Sequence, residues 1–257
     1  MTEDQAKTQI FEALADYIRA GGCTSNANIL AGKFCTKGWQ HYKHEHSISG
    51  NFTQTISRKK VWNIAIKIIQ ILAAYRRAGG WHIHRIVQQA TGKEETKKST
   101  VNHLAKETLY FIGEGGDCGK GATGKEKHDS NRHPRSIAAQ REQNERKLRY
   151  EHAIPFQCWV SSMVKHGEKL SDEQIKALIK NNYHIRIVTI DEDEQLKKLR
   201  LSRKMPPDCG WGEKHFFSKP FSDIFVRYKR AGIKFREGDL VPYSVLDGFP
   251  LSKPSSH

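Results

Sequence analysis

No run in the 257 residues is apolar for long enough to cross a bilayer. The longest such stretch, Ile64 to Tyr75, is broken by Lys67 and Gln70, which excludes a transmembrane helix as its reading. Acidic residues are also short: 28 Asp plus Glu face 43 Lys plus Arg, for a formal net charge of +15 and a pI near 9.6. That deficit argues against an ordinary neutral metabolic enzyme and for a polyanionic partner. Cysteine is scarce and odd in number, and Cys23, Cys35, Cys118, Cys158 and Cys209 contain no Cys-x-x-Cys pair. A disulfide framework is therefore not expected. Neither is a structural zinc, from Cys118, His128, His133, Cys209 and His215 or from Cys35 with His41, His44 and His46. The polar start Met-Thr-Glu-Asp-Gln is unlike a secretory or transit peptide, so a cytoplasmic location is expected, with no membrane partner.

The positive charge is uneven. Residues 1–112 carry 16 basic against 8 acidic side chains, and residues 151–257 carry 18 against 14. Lys and Arg attract phosphate regardless of base sequence, because close approach releases counterions. In the first part Ile10, Phe11, Leu14, Tyr17 and Ile18 recur at helical spacing and stop at Gly21-Gly22. Val61, Ile64, Ala65, Ile68, Leu72 and Tyr75 form a second stripe, ending at Gly79-Gly80. The end of each stripe has the form Tyr-x-x-Ala-Gly-Gly, echoed by Tyr228-Lys-Arg-Ala-Gly232, and reads as a recurring helix terminus rather than a repeat architecture.

Residues His82 to Ala90 read as a short helix, Thr91 to Thr96 as a turn and Lys97 to Thr108 as a second helix, which is helix-turn-helix spacing. The second helix carries Lys97, Lys98, Ser99, Asn102 and Lys106 on a polar, basic face that suits the major groove of DNA. Leu109 to Ile112 and the following glycines then supply the strand and turn of a wing. A solvated helix face on a plain bundle accounts for the same pattern.

From Gly113 to about residue 146 the composition turns to Gly, Lys, His, Asp and Ser, with a charged helix from Ser136 to about Lys147, and reads as a linker. Within it Gly119-Lys-Gly-Ala-Thr-Gly-Lys-Glu126 approaches phosphate-loop spacing but ends on a carboxylate where a hydroxyl is required, so a basic linker is the better account. Beyond it come a strand-like Leu148 to Phe156, helices at Trp159 to Val164 and Ser171 to Lys180, a strand at His184 to Ile190, and a helix at Asp191 to Leu199 with an acidic first turn. The aromatic stretch of Trp211, Phe216, Phe217, Phe221, Phe225 and Tyr228 reads as packing.

The segment Glu151-His152-Ala-Ile-Pro155 sets an acid directly before a histidine at a strand end. It resembles the opening of the HNH, or His-Me finger, nuclease motif, the ββα-metal fold, over about Leu148 to Pro206. The resemblance implies His152 as the general base that activates water, and Glu151 as a metal ligand. It implies Asp193, and next Asp191, as further ligands from the helix after the second strand, on Mg2+ or a similar divalent metal. The residue types suit phosphodiester hydrolysis, which needs a proton acceptor near neutral pH and charge neutralisation at the phosphate. Arg200, Arg203 and Lys204 would bind flanking phosphates. The chain departs from the pattern in lacking an identifiable middle Asn and the closing His of the helix.

The expected class is α+β. A helical, basic nucleic-acid-binding domain with a winged helix-turn-helix occupies residues 1–112, a linker residues 113–146, and a ββα-metal nuclease domain residues 147–257. The expected function is a metal-dependent endonuclease on double-stranded DNA, site-specific and of the restriction or defence kind, as a homodimer if its sites are palindromic. A non-catalytic helix-turn-helix regulator is the alternative, and an RNA-cleaving toxin a third.

Overall fold

The computed structural model describes residues 1–48, 56–113, 133–210 and 223–240. The chain is of mixed α+β class, and the described residues form two small antiparallel sheets of two strands each. It divides into two compact units, Met1–Gly121 with Val160–Asp172, and Ala122–Trp159 with Glu173–His257. Among the described residues no helix is long and apolar enough to cross a membrane.

The first unit is built on α1 (Glu3–Arg19), α2 (Thr24–Glu45), α3 (Arg58–Arg77) and α4 (Val101–Thr108). The apolar stripes pack as their periodicity requires: Ile10, Leu14 and Ile18 of α1 and Ala65, Ile68 and Leu72 of α3 are buried, and α1 lies against both α2 and α3. Burying each of the larger side chains contributes about 1.5–3 kcal/mol relative to exposure. α2, which the sequence did not announce, buries Leu30 and Phe34 and is broken at Cys35, whose backbone is extended. Both Gly-Gly terminators close their helices alike. Gly21 and Gly79 take positive φ, and the next residue donates its N–H back to a tyrosine carbonyl, Gly22 to Tyr17 at 2.9 Å and Gly80 to Tyr75 at 3.0 Å.

Between α3 and α4 the structure corrects the helix-turn-helix reading. Residues His82–Gln88 are a strand, β1, paired antiparallel with β2 (Glu94–Thr100). The turn carries Gly92 at a φ of +77°, and Gln89 donates to the Lys93 carbonyl at 2.8 Å. The β-branched Thr96 and Thr100 favour a pleated strand over a helix. The helix starts only at Val101, where the Thr100 hydroxyl accepts from the His103 N–H at 3.2 Å. Residues Leu109–Gly113, read as a wing strand, continue α4 as a π-helical turn.

In the second unit β3 (Leu148–His152) pairs antiparallel with β4 (Ile185–Thr189), Leu148 opposite Thr189 and His152 opposite Ile185. Helices α6 (Phe156–His166) and α7 (Asp172–Asn182) lie between the strands in sequence, and α8 (Ile190–Lys198) follows β4 directly. α8 begins in a capping box: Glu192 donates its N–H to the Thr189 hydroxyl at 3.2 Å, and the Thr189 N–H donates to the Glu192 carboxylate at 2.8 Å. Residues assigned to the linker join this unit. Ser136 donates to the Ile187 carbonyl at 2.9 Å, its hydroxyl caps α5 (Ile137–Arg141), and Ala139 packs with Leu148, Ile187 and Tyr150. The charged helix expected from Ser136 to Lys147 stops at Arg141, with a short 3-10 turn at Glu145–Lys147. α9 (Val226–Arg230) ends on Gly232, again at positive φ, with Ile233 bonded to the Tyr228 carbonyl at 3.0 Å.

Candidate functional site

His152 is the last residue of β3 and is half-buried. Its ring stands edge-on to three aromatic rings, Phe156 and Tyr183 at 5.2 Å and Tyr150 at 5.9 Å between centroids. Tyr150 precedes it by two on the same face of the strand, Tyr183 leads into β4, and Phe156 opens α6. The Nε2 atom has no contact with solvent. α8 packs on both β3 and β4, so two antiparallel strands and the helix that follows them form one body.

Glu151 occupies the preceding rung, opposite Arg186, in a ladder without a bulge. Successive side chains of a strand point to opposite faces, so Glu151 and His152 diverge. The Glu151 carboxylate is ion-paired with Arg227 of α9, whose guanidinium is fully buried and also donates to the Leu201 carbonyl at 2.6 Å. Burial pushes the Arg227 guanidinium below its ordinary pKa. Arg186, equally buried, donates through Nε to the Asp239 carbonyl at 2.8 Å and lies over the Phe225 ring at 4.5 Å. Neither Arg186 nor Arg227 was legible as part of this place from the sequence alone. The ion pair joins positions 76 residues apart, and the echo of Tyr228-Lys-Arg-Ala-Gly marked only the helix end.

Asp193, in the first turn of α8, has a side chain 14% exposed and is ion-paired with Lys197 at 2.9 Å. Lys197 also holds Glu194 at 2.7 Å. These bonds lower the Glu194 pKa and raise that of Lys197. Asp191 is exposed on the same helix. Arg200, Arg203 and Lys204 are all exposed beyond its end. Arg200 sits at a φ of +58°, the left-handed position that glycine fills at the ends of α1, α3 and α9, while Leu201 donates to the Leu196 carbonyl at 2.7 Å. Ser47 is the other non-glycine residue at positive φ among the described residues.

The donor set expected for a divalent metal does not assemble. Arg227 engages Glu151, Lys197 engages Asp193, and among the described residues no three His, Cys, Asp or Glu side chains gather as a metal site. The expected DNA-binding residues divide between two elements. Lys97, Lys98 and Ser99 are in β2, the lysines exposed and Ser99 buried, so Ser99 is not on an accessible face. Asn102 and Lys106 are in α4, exposed, and the Asn102 amide donates to the Ser161 hydroxyl at 3.0 Å. The phosphate-loop-like segment 119–126, Cys118, His128 and His215 of the zinc set that the sequence argued against, and Trp211, Phe216, Phe217 and Phe221 of the aromatic stretch lie outside the described residues. Comparison of the chain with known protein families, with curated proteins and with solved structures finds no match.

Proposed function

We propose that the chain is an endonuclease of the HNH-like kind, hydrolysing phosphodiester bonds of double-stranded DNA in a restriction or defence role. The observation that carries the reading is topological. β3 and β4 pair antiparallel, α8 follows β4 without a loop and packs on both strands, and His152 occupies the last rung of β3. This is the order of elements that the Glu151-His152 resemblance implies.

In the proposed reaction the His152 imidazole takes a proton from water as the water oxygen bonds to phosphorus, and the bond from phosphorus to the leaving oxygen breaks. Imidazole suits the step because its ordinary pKa lies near neutrality. One ring nitrogen must meet that water, and since Nε2 is shielded the approach has to be made through the ring's other side or by a turn of the ring. Arg200, Arg203 and Lys204 offer three cations to flanking phosphates. Because the carboxylates are engaged by Arg227 and Lys197, no step is assigned here to a metal, and magnesium dependence is a separate arm of the test.

Plasmid DNA is incubated with the purified chain, with magnesium and with a chelator, in parallel with His152→Ala. The expected result is nicked or linear DNA from the wild type and none from the variant, with retention in a gel unchanged. Equal cleavage by the variant removes His152 from the mechanism. The ion pair of Glu151 with Arg227 favours a second reading, a non-catalytic DNA-binding protein, which predicts retention with no cleavage in either arm. Light scattering distinguishes the homodimer that palindromic cutting requires from a monomer.

A further inference from the structure

The two-stranded ribbon β1–β2 has one face made of exposed residues. In its register His82, His84, Ile86 and Gln88 of β1 lie opposite Thr100, Lys98, Thr96 and Glu94 of β2, and all eight are exposed. On the other face Ile83 and Ser99 are buried, and β1 rests on α2. The ribbon is braced from beneath and from the side. The Arg85 guanidinium donates to the Gly32 carbonyl at 3.3 Å, the Tyr75 hydroxyl to the His82 carbonyl at 2.7 Å, and Lys37 is ion-paired with Glu94. Glu3 accepts the His84 backbone N–H at 2.8 Å and meets its ring nitrogen Nδ1 at 2.9 Å. An isolated hairpin is marginally stable in water, so this bracing holds a defined outward surface.

We propose that this outer face reads duplex DNA from the major groove, in place of the recognition helix the sequence suggested. The inference rests on the nucleic-acid reading above and names its contact surface. The major groove, about 12 Å wide, admits a two-stranded ribbon as it does a helix. Seven residues of strand extend over roughly 23 Å, enough to follow several base pairs. Gln88, Thr96 and Lys98 supply the donors and acceptors that base edges require, and Ile86, 44% exposed, an apolar contact for a thymine methyl. Charge agrees: in the hairpin Arg85, Lys93, Lys97 and Lys98 outnumber Glu94 and Glu95, the Glu94 carboxylate is engaged by Lys37, and that of Glu3, beside the His84 ring, is held by Lys7 at 2.6 Å. At the ribbon's foot Trp81 is 59% exposed with the Arg76 guanidinium 2.8 Å from its ring centre. A further strand is a poor occupant, because Glu3 takes a backbone donor on β1 and β2 is edged with Lys97 and Lys98.

The test uses the full chain and a pool of random-sequence duplexes about two helical turns long, with chelator present. Wild type, the triple variant Gln88→Ala/Thr96→Ala/Lys98→Ala and the control Arg19→Ala, an exposed cation at the end of α1, are each taken through rounds of selection and sequencing. Their affinities for the wild type's enriched sequence are then measured by anisotropy. Circular dichroism melts show that each variant is folded. The expected result is an enriched sequence for the wild type, binding at least about tenfold weaker and no enrichment for the triple variant, and near wild-type behaviour for Arg19→Ala. Wild-type enrichment kept by the triple variant overturns the ribbon assignment while leaving the nucleic-acid reading intact. Failure of the wild type to bind any duplex overturns that reading as well. A wild-type dimer that the triple variant converts to monomer, without loss of DNA binding, makes the face a self-association surface and refutes the proposal.

Discussion

Glu151→Ala tests whether that carboxylate is a metal ligand or a structural counter-ion. The Arg227 side chain is fully buried and that of Glu151 only 18% exposed, so removing the carboxylate leaves a guanidinium out of water without its partner. Breaking a buried pair from one side costs about 3–5 kcal/mol, most of it the stranded charge. For a chain of this size that is a fall of about 10 °C in melting temperature, read by circular dichroism with no divalent ion present. The double variant Glu151→Leu/Arg227→Met, which replaces both charges with apolar groups, should recover most of the loss, because desolvation of the pair offsets much of its attraction. A Glu151→Ala melt within about 2 °C of the wild type would refute the reasoning. Magnesium raising the wild-type melting temperature but not that of Glu151→Ala would restore the carboxylate as a ligand.

Arg200→Gly should stabilise the chain by about 0.5–1 kcal/mol in chemical denaturation, since glycine accepts the left-handed backbone that arginine holds at a cost. The same variant should bind plasmid DNA more weakly; gains in both stability and affinity would remove Arg200 from phosphate contact. The Glu3 carboxyl meets two opposing influences: burial raises its pKa, and the bonds from Lys7 and His84 together outweigh it, leaving the pKa below its ordinary 4.5. A depressed folded-state pKa stabilises above the unfolded value and is lost as pH falls through the folded one. Wild type should therefore exceed Glu3→Gln in stability near neutral pH, with the difference closing below pH about 4. A gap that persists undiminished at low pH would assign the effect to something other than ionisation.

The helices announced by a full apolar stripe were legible. α1 buries the residues its periodicity named and α3 all of them but Val61, which is half-buried, and α8 starts where an acidic turn follows a capping threonine. The ribbon was misread for a local reason. Ile83, Ile86 and Val87 stand at i, i+3 and i+4, the spacing of a helical face, yet only Ile83 is buried and Ile86 faces solvent. The opposing evidence was the Thr91-Gly92 turn and the hydroxyl-rich run that follows it, which a helix disfavours over so short a span. α2 escaped notice because two of its buried apolar positions, Ala27, Leu30, Ala31, Phe34 and Trp39, are small alanines, and because its geometry breaks at Cys35 before Trp39.

Around the candidate site the order of strands and helix was legible and the side-chain pairing was not, and the reason lies in the pleat. An acid and a histidine adjacent in sequence can serve one centre only where the strand is irregular between them. Here the ladder runs through both residues, and the Ala153 N–H still donates to the His184 carbonyl at 2.7 Å beyond the last rung, so the strand end is held rather than frayed. One face of β3 therefore presents an imidazole among aromatic rings and the other a carboxylate committed to a buried arginine. The two residues should respond to mutation in different ways: His152→Ala in activity even where the variant, short of three aromatic contacts, is still folded, Glu151→Ala in stability first. Loss of cleavage in Glu151→Ala under conditions where the variant is fully folded would mean that the strand end rearranges on binding DNA, bringing to one side what the free protein keeps on two.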